Sequence, residues 1–321
     1  MMPYFFVMHR IISLNDCANR PIPPLPYGEE DFLDPTKGWK SVPVVEGREQ
    51  MVKLERSDRI IPFPAYFFQD VDRHLVPFTT KPRIPFAPRD IYVRERVHDQ
   101  LLQAANLLPP EYLLLVFDGY RLPIVQYILY KTMVKILMMR YGLSEEIAMK
   151  EAQKYVSLPS INPPSPHFTG GAVDVGIFNP KTDSLVNMGV KFDDMSARSA
   201  LRYFEEVQSV SSEDIEAKIN RRWLYWVMRE VGFHPWPFEC WHFDSENDSV
   251  GAYSSRKKVS SYGFAGNLRG EHNLLGPATY SGTGEEADED AFDLLDEARQ
   301  ALIKLGVFSG SLGHRDLLDL R

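Results

Sequence analysis

The hydrophobic patterning of this 321-residue chain predicts an α+β fold. Three observations carry that reading. Between residues 90 and 245, helical periods and short apolar runs follow in the irregular order helix, strand, two helices, strands, two helices, strand. No regular βαβ series or internal repeat is visible. The strand-like runs are short and bounded by Pro, Gly and Asn turn signals. Hydrophobic residues make up 44% of the chain and charged residues 25%, which is the composition of a packed globular protein.

The elements follow in order. The first ninety residues hold 13 of the 24 prolines, including the run Pro21-Ile-Pro-Pro-Leu-Pro26. Proline fixes φ and removes a backbone donor, so this region reads as loops and edge strands wrapping the main body. Asp90 is placed to cap a helix whose apolar positions Val93, Val97, Leu101, Ala104 and Ala105 keep helical spacing up to Pro109-Pro110. The continuous apolar run 113–117 suits a buried strand and leads into Asp118-Gly-Tyr-Arg121. Pro123 opens a long helix to Arg140, with Gly142 at the C-terminal cap, and Ser144 caps another reaching about Tyr155.

After a proline-rich loop, residues 172–178 read as a strand. The turn at Asn179-Pro-Lys-Thr-Asp183 predicts a hairpin return over 185–188. Residues 196–207 and 212–231 read as helices, the second with a capping pair at Ser211 and Asp214 and a terminal Gly232. Residues 238–243 read as extended, and a last amphipathic helix fits 287–305. These shifts divide the chain into a proline-rich arm over 1–60, a central domain over 61–250 and a C-terminal extension over 251–321.

The net charge of −8 is local: residues 285–297 hold eight acids and no Lys or Arg, so the remainder is balanced. The composition argues against a nucleic-acid binder acting through bulk positive charge. No apolar run approaches the roughly 18 residues of a membrane span. The apolar patch 4–8, followed by His9 and Arg10, does not read as a secretory signal, which predicts a cytoplasmic setting. The two cysteines, Cys17 and Cys240, cannot form a disulfide framework or a thiolate-rich metal site. A bound metal must therefore be held mostly by histidine and carboxylate.

Of the eight histidines, two lie in suggestive surroundings: His167 in Ser165-Pro-His-Phe-Thr-Gly-Gly-Ala-Val-Asp174, and His242 in Glu239-Cys-Trp-His242. Gly170-Gly171 allows a tight turn that brings Asp174 back toward His167. Two histidines and a carboxylate make a nitrogen–oxygen set suited to Zn²⁺, and leave a fourth position for water. Glu239 lies close enough to His242 in sequence to serve as a general base beside such a water. In a flat strand positions 239 and 242 face opposite ways, so that role requires a turn or bulge, which Pro235 and Pro237 favour. Taken alone, Glu-x-x-His reads as structural.

In combination these segments carry a family resemblance. Ser165, His167, Gly170, Ala172 and Asp174, followed by Glu239, Trp241 and His242, resemble the zinc D-alanyl-D-alanine peptidases, as does Asp118-Gly-Tyr-Arg121. Leu185-Val-x-Met-Gly-x-x-Phe-Asp193-x-Met195, and Asn220-Arg-Arg-x-Leu224 with Gly232-Phe233, resemble the dipeptidase branch. The resemblance covers roughly residues 90–245. It implies a small, mostly antiparallel sheet flanked by helices in the DD-peptidase/hedgehog-like manner, with a zinc site at the sheet. It also implies one Zn²⁺ per chain held by His167, Asp174 and His242, with Glu239 as general base and acid. Arg121 would stabilise the oxyanion, Asp193 would bind the substrate ammonium, and Ser165 would help hold its carboxylate. The implied activity is hydrolysis of D-alanyl-D-alanine, with a small dipeptide as partner and neither nucleic acid nor membrane.

Other readings remain open at this level. A cell-wall carboxypeptidase or endopeptidase shares the metal motifs, and a metal-stabilised binding module needs no Glu239 or Arg121. A Cys240–His242 nucleophile pair would require both side chains on one face of an extended strand. Arg121 also has a plain structural partner in Asp118.

Overall fold

The computed structural model describes residues 11–67, 84, 87–194, 196–208, 211–267, 297, 300, 301 and 304. In chain order its first half comprises α1 (Leu14–Ala18), α2 (Glu29–Leu33), β1 (Met51–Lys53), β2 (Ile60–Pro62), β3 (Tyr92–Arg94), α3 (Glu95–Leu107) and β4 (Leu113–Asp118). There follow α4 (Pro123–Tyr141), α5 (Glu145–Ala152), β5 (Ala172–Asn179), β6 (Ser184–Leu185) and α6 (Tyr203–Glu206). The last are α7 (Ser212–Glu230), β7 (Phe233–Pro235), β8 (His242–Ser245) and α8 (Ser249–Ser254). The fold is α+β, as the sequence predicts. Among the described residues no helix is long and apolar enough to cross a membrane.

The main sheet runs β2-β4-β5-β8-β7, with β6 added on β5. Only β2 and β4 pair in parallel; every other pairing in it is antiparallel. A separate two-stranded ladder joins β1 to β3. Period-two alternation divides the central strands between two apolar layers. Leu114 and Val116 of β4, and Val173, Val175 and Ile177 of β5, pack with α3 and α7 through Leu101, Ala105, Leu224 and Val227. The opposite face meets α4 and α5 through Leu115 and Phe117, against Val125, Leu129 and Met133. Asp174 and Gly176 alternate onto that second face, so the first ligand candidate is on the α4 side of the sheet.

The predicted ends of the long helices hold. Pro123 is at the start of α4, and Gly142 closes it with φ 65, a left-handed cap that favours glycine. The Ser211 hydroxyl accepts the Asp214 N–H at the start of α7. Three local expectations are corrected. Asp90 does not cap a helix: residues 92–94 pair with β1, and α3 begins at Glu95. The long-range ladder outweighs the helical spacing of Val93, which is buried from a strand instead. Residues 196–207 form a 3₁₀ turn (Ala197–Ser199) and the short α6 rather than one helix. Leu201 breaks the run by donating its N–H to the Pro237 carbonyl. Residues 238–241 form turns, and the strand begins only at His242. The helix predicted over 287–305 falls largely outside the described residues. Within it Glu297, Gln300, Ala301 and Lys304 are helical, and Glu297 pairs with Lys131 at 3.2 Å.

The apolar layer between β4 and α3 supports the site from behind. Truncating Leu101, which is fully buried in it, to alanine removes three carbons and leaves a cavity. Leu101→Ala is expected to cost about 2–5 kcal/mol in urea unfolding without reaching the ligand residues.

Candidate metal centre and active-site cavity

His167 sits in a 3₁₀ turn, Pro166–Thr169, that opens on proline and ends at Gly170 with φ 70. A Cβ on Gly171 would come within 2.7 Å of the Tyr262 ring and 2.9 Å of the Thr169 hydroxyl, so the chain enters β5 through a close approach open only to glycine. That turn brings His167 and Asp174 together, as the Gly-Gly spacing suggests. Asp174 then lies directly opposite His242 across β5 and β8, and opposite Asp118 across β4 and β5, where the ladder shifts between Val116 and Asp118. Strand register therefore places three polar groups in a row.

The candidate ligand atoms of His167, Asp174 and His242 all lie within 4.8 Å of one another, and all three residues are buried. Asp174 Oδ2 is 3.5 Å from His167 Nε2, and Asp174 Oδ1 is 3.0 Å from His242 Nδ1. Each ring is oriented by its other nitrogen. His167 Nδ1 donates to the Gly119 carbonyl at 2.8 Å, and His242 Nε2 donates to Asp244 Oδ1 at 3.3 Å. A carbonyl only accepts, so His167 keeps its Nε2 lone pair for the centre, while the Asp244 contact leaves Nδ1 of His242 facing it. The donor set fits a divalent transition metal of borderline softness. Burial opposes charge on His242, but Asp244 and Asp174 on either side push its pKa well above the ordinary value. Burial likewise opposes ionisation of Asp174, and the two histidines overcome it and hold its pKa far below the carboxylate range.

Around this triad lies a cavity whose wall includes Tyr66, Arg121, Ser157, Asp193, Trp236 and Glu239. The turn before β8 brings Glu239 to 3.8 Å from His242 Nδ1, on the same side as the triad. Burial raises the Glu239 pKa well above the usual range, with Asp174 and Asp193 adding to the rise and His242 opposing it. Arg121 keeps its structural partner and faces the cavity as well. Its Nε donates to Asp118 Oδ2 at 2.8 Å and Nη1 to Gln126 Oε1 at 2.8 Å, while Nη2 reaches Asp174 Oδ2 at 3.5 Å. Asp193 has φ 63 and accepts the Tyr66 hydroxyl at 3.4 Å. Burial raises its pKa to about 7.

Ser165 is placed differently. Its hydroxyl donates to the Leu158 carbonyl and accepts the Ser160 N–H, both at 3.2 Å. The serine on the cavity wall is Ser157, which meets Gln126 Nε2 through its carbonyl at 2.8 Å. Cys240 is buried in the apolar layer, its thiol pKa raised by burial, and it is absent from the cavity wall. The turn at 240–241 separates it from His242, so the extended-strand premise of a Cys–His nucleophile pair fails. Gln126, Tyr66, Ser157, Trp236 and Asp244 carry no local sequence signal. Tyr66, Ser157 and Trp236 reach the cavity through long-range packing, whereas Asp244 follows His242 by two residues in β8 and Gln126 lies five residues after Arg121.

Residues 78–259 match the sequence profile of a family described as D-ala-D-ala dipeptidase. A D-alanyl-D-alanine dipeptidase of Synechocystis sp. is 28% identical over 255 residues, covering 72% of this chain and 98% of that protein. One from Enterococcus faecium is 29% identical over 174 residues, covering 52% of this chain and 79% of that protein. Among solved structures, a mutant of the vancomycin-resistance D,D-pentapeptidase VanY in complex with Zn(II) overlaps at a TM-score of 0.31 and 18% identity, over 61% of this chain and 88% of the other. The LdcB LD-carboxypeptidase overlaps at 0.29 and 14% identity, over 68% and 95% respectively.

The geometry around Asp244 generates a direct test. Asp244→Asn keeps the shape but removes the charge that orients the His242 ring. Metal affinity, measured by competition against a chromophoric chelator, is expected to fall about 10–100-fold.

Proposed function

The chain belongs to the D-alanyl-D-alanine dipeptidase family, and on that premise we propose that it hydrolyses D-alanyl-D-alanine to two D-alanines at a zinc centre held by His167, Asp174 and His242. The observation that carries the reading is the convergence, on the wall of one cavity, of that triad with Glu239, Arg121 and Asp193. Two imidazole nitrogens and one carboxylate suit zinc and leave room for a reacting group. When bound, zinc supplies Lewis acidity, polarising the scissile carbonyl and acidifying a water in the site.

The other steps belong to the chain's own groups. Glu239 takes a proton from the water as its oxygen attacks the carbonyl carbon. It returns that proton to the amide nitrogen as the C–N bond breaks, so the leaving group departs as a neutral amine. The upward push on its pKa from burial suits a group that must hold a proton between those two events. Arg121, fixed by Asp118 and Gln126, offers its guanidinium to the oxygen that gains charge in the tetrahedral intermediate. Asp193 receives the substrate's ammonium, whose positive charge favours the ionised carboxylate. A carboxylate at that end of the cavity discriminates against longer peptides, which present a neutral amide there. Ser165 contributes by bracing the loop that carries Ser157 to the cavity wall.

A metal that only stapled the fold would need neither a buried Glu239 nor an Arg121 aimed at the triad, which argues against a non-catalytic module. A cytoplasmic setting fits the two buried free cysteines.

Two outcomes are expected. Glu239→Gln should lower kcat for D-alanyl-D-alanine by about 10²–10⁴-fold while zinc content stays at the wild-type level. Wild-type activity should be abolished by a chelator and restored by zinc, while N-acetyl-D-alanyl-D-alanine and a muropeptide pentapeptide are left intact. Cleavage of the pentapeptide with the free dipeptide untouched would defeat the dipeptidase reading.

A further inference from the structure

We infer that Arg221, with Asn220 beside it, is a positioning residue that sets affinity for the substrate's free amine by fixing the loop that presents Asp193. The inference rests on the reading of Asp193 as the ammonium site. Arg221 lies in α7, outside the cavity wall, and is 2% exposed. Its guanidinium is satisfied by main-chain carbonyls: Nε donates to Met188 at 2.8 Å, Nη1 to Ala200 at 2.8 Å and Nη2 to Arg198 at 2.5 Å. The Phe204 ring covers it at 4.5 Å. Asn220 Nδ2 adds a bond to the Asn187 carbonyl at 2.8 Å. One turn of helix therefore grips both the start and the end of the segment between Asn187 and Ala200.

Burying a cation beside carbonyls rather than a carboxylate is costly, and it is tolerated where the planar fork satisfies several acceptors at once. Those acceptors here are backbone atoms of a single loop, so the arrangement fixes the path of that loop. Gly189, at φ 75, has the Phe204 ring of α6 at 2.5 Å and Ala217 of α7 at 3.0 Å from where a Cβ would stand, so the loop lies close against both helices. Further along, Phe192 stacks on Phe117 at 4.2 Å and meets Trp241 edge-on at 5.5 Å. Asp193 follows in a left-handed conformation and has the long Tyr66 contact at 3.4 Å. Its carboxylate is thus placed by the backbone beneath it, and α7 controls that backbone.

The test is a double-mutant cycle with D-alanyl-D-alanine as substrate. Arg221→Lys keeps the charge and loses the fork. It is expected to raise KM about ten-fold with kcat changed less than about two-fold and zinc content unchanged, as loss of ground-state binding requires. Added to Asp193→Asn, it should raise KM no further than Asp193→Asn does alone, because the group it positions has already lost its charge. Asn220→Ala, which removes one bond, should show the same signature more weakly and serves if Arg221→Lys fails to fold. Additive KM effects, or a fall in kcat at constant KM, would overturn the positioning role. An unchanged KM in Asp193→Asn by itself would overturn the ammonium reading, and this inference with it.

Discussion

The antiparallel register of β5 against β8 is the constraint on which the site depends. It sets Asp174 directly opposite His242, while the shifted ladder on the other edge sets Asp118 opposite Asp174. Because side chains alternate with period two, a slip of one residue would move Asp174 to the α3–α7 face. Val173, Val175 and Ile177 would then turn toward the cavity, and their burial opposes that slip. Each such side chain contributes about 1.5–3 kcal/mol on full burial. The apolar layer on one face thus fixes the polar chemistry on the other.

That polar row is expensive unless its members are paired, since an isolated buried charge is far less stable than one with partners. The pairing is distributed. The Gly119 carbonyl holds His167, Asp244 holds His242, Asp118 and Gln126 hold Arg121, and Tyr66 reaches Asp193. Trp236 lines the cavity 5.5 Å from the His242 ring, and its other face belongs to an aromatic cluster with Phe32 and Trp39. The proline-rich N-terminal segment therefore supplies part of the packing behind the cavity wall. Asp193 is reached by Tyr66 at the long distance of 3.4 Å and sits on a loop whose path sets its place.

Much of this was legible in the residue order because the signals were local. Pro123 and Gly142 marked the ends of α4, Ser211 the start of α7, and Gly170-Gly171 the turn that joins His167 to Asp174. The need for a turn between Glu239 and His242 followed from strand alternation alone, although residues 238–241 read as extended. What escaped was decided by distant partners. Residues 92–94 look helical until β1 pairs with them, and the run 196–207 is broken by bonds to Pro237 and Arg221. Ser165 has the spacing of a cavity residue, yet Leu158 and Ser160 occupy its hydroxyl. Tyr66 is an ordinary residue in sequence that long-range packing brings to the site, while Asp244 and Gln126 are close in sequence to His242 and Arg121 and have no motif that marks them.

The central claim is that strand pairing builds a His–Asp–His zinc centre with Glu239 beside it and unligated. An anomalous difference map at the zinc edge, from crystals grown with zinc, tests it most directly. One peak is expected, bonded to His167 Nε2, His242 Nδ1 and a carboxylate oxygen of Asp174, with Glu239 outside bonding distance. A peak bonded to Glu239 or Cys240, or one that leaves Asp174 free, would contradict it.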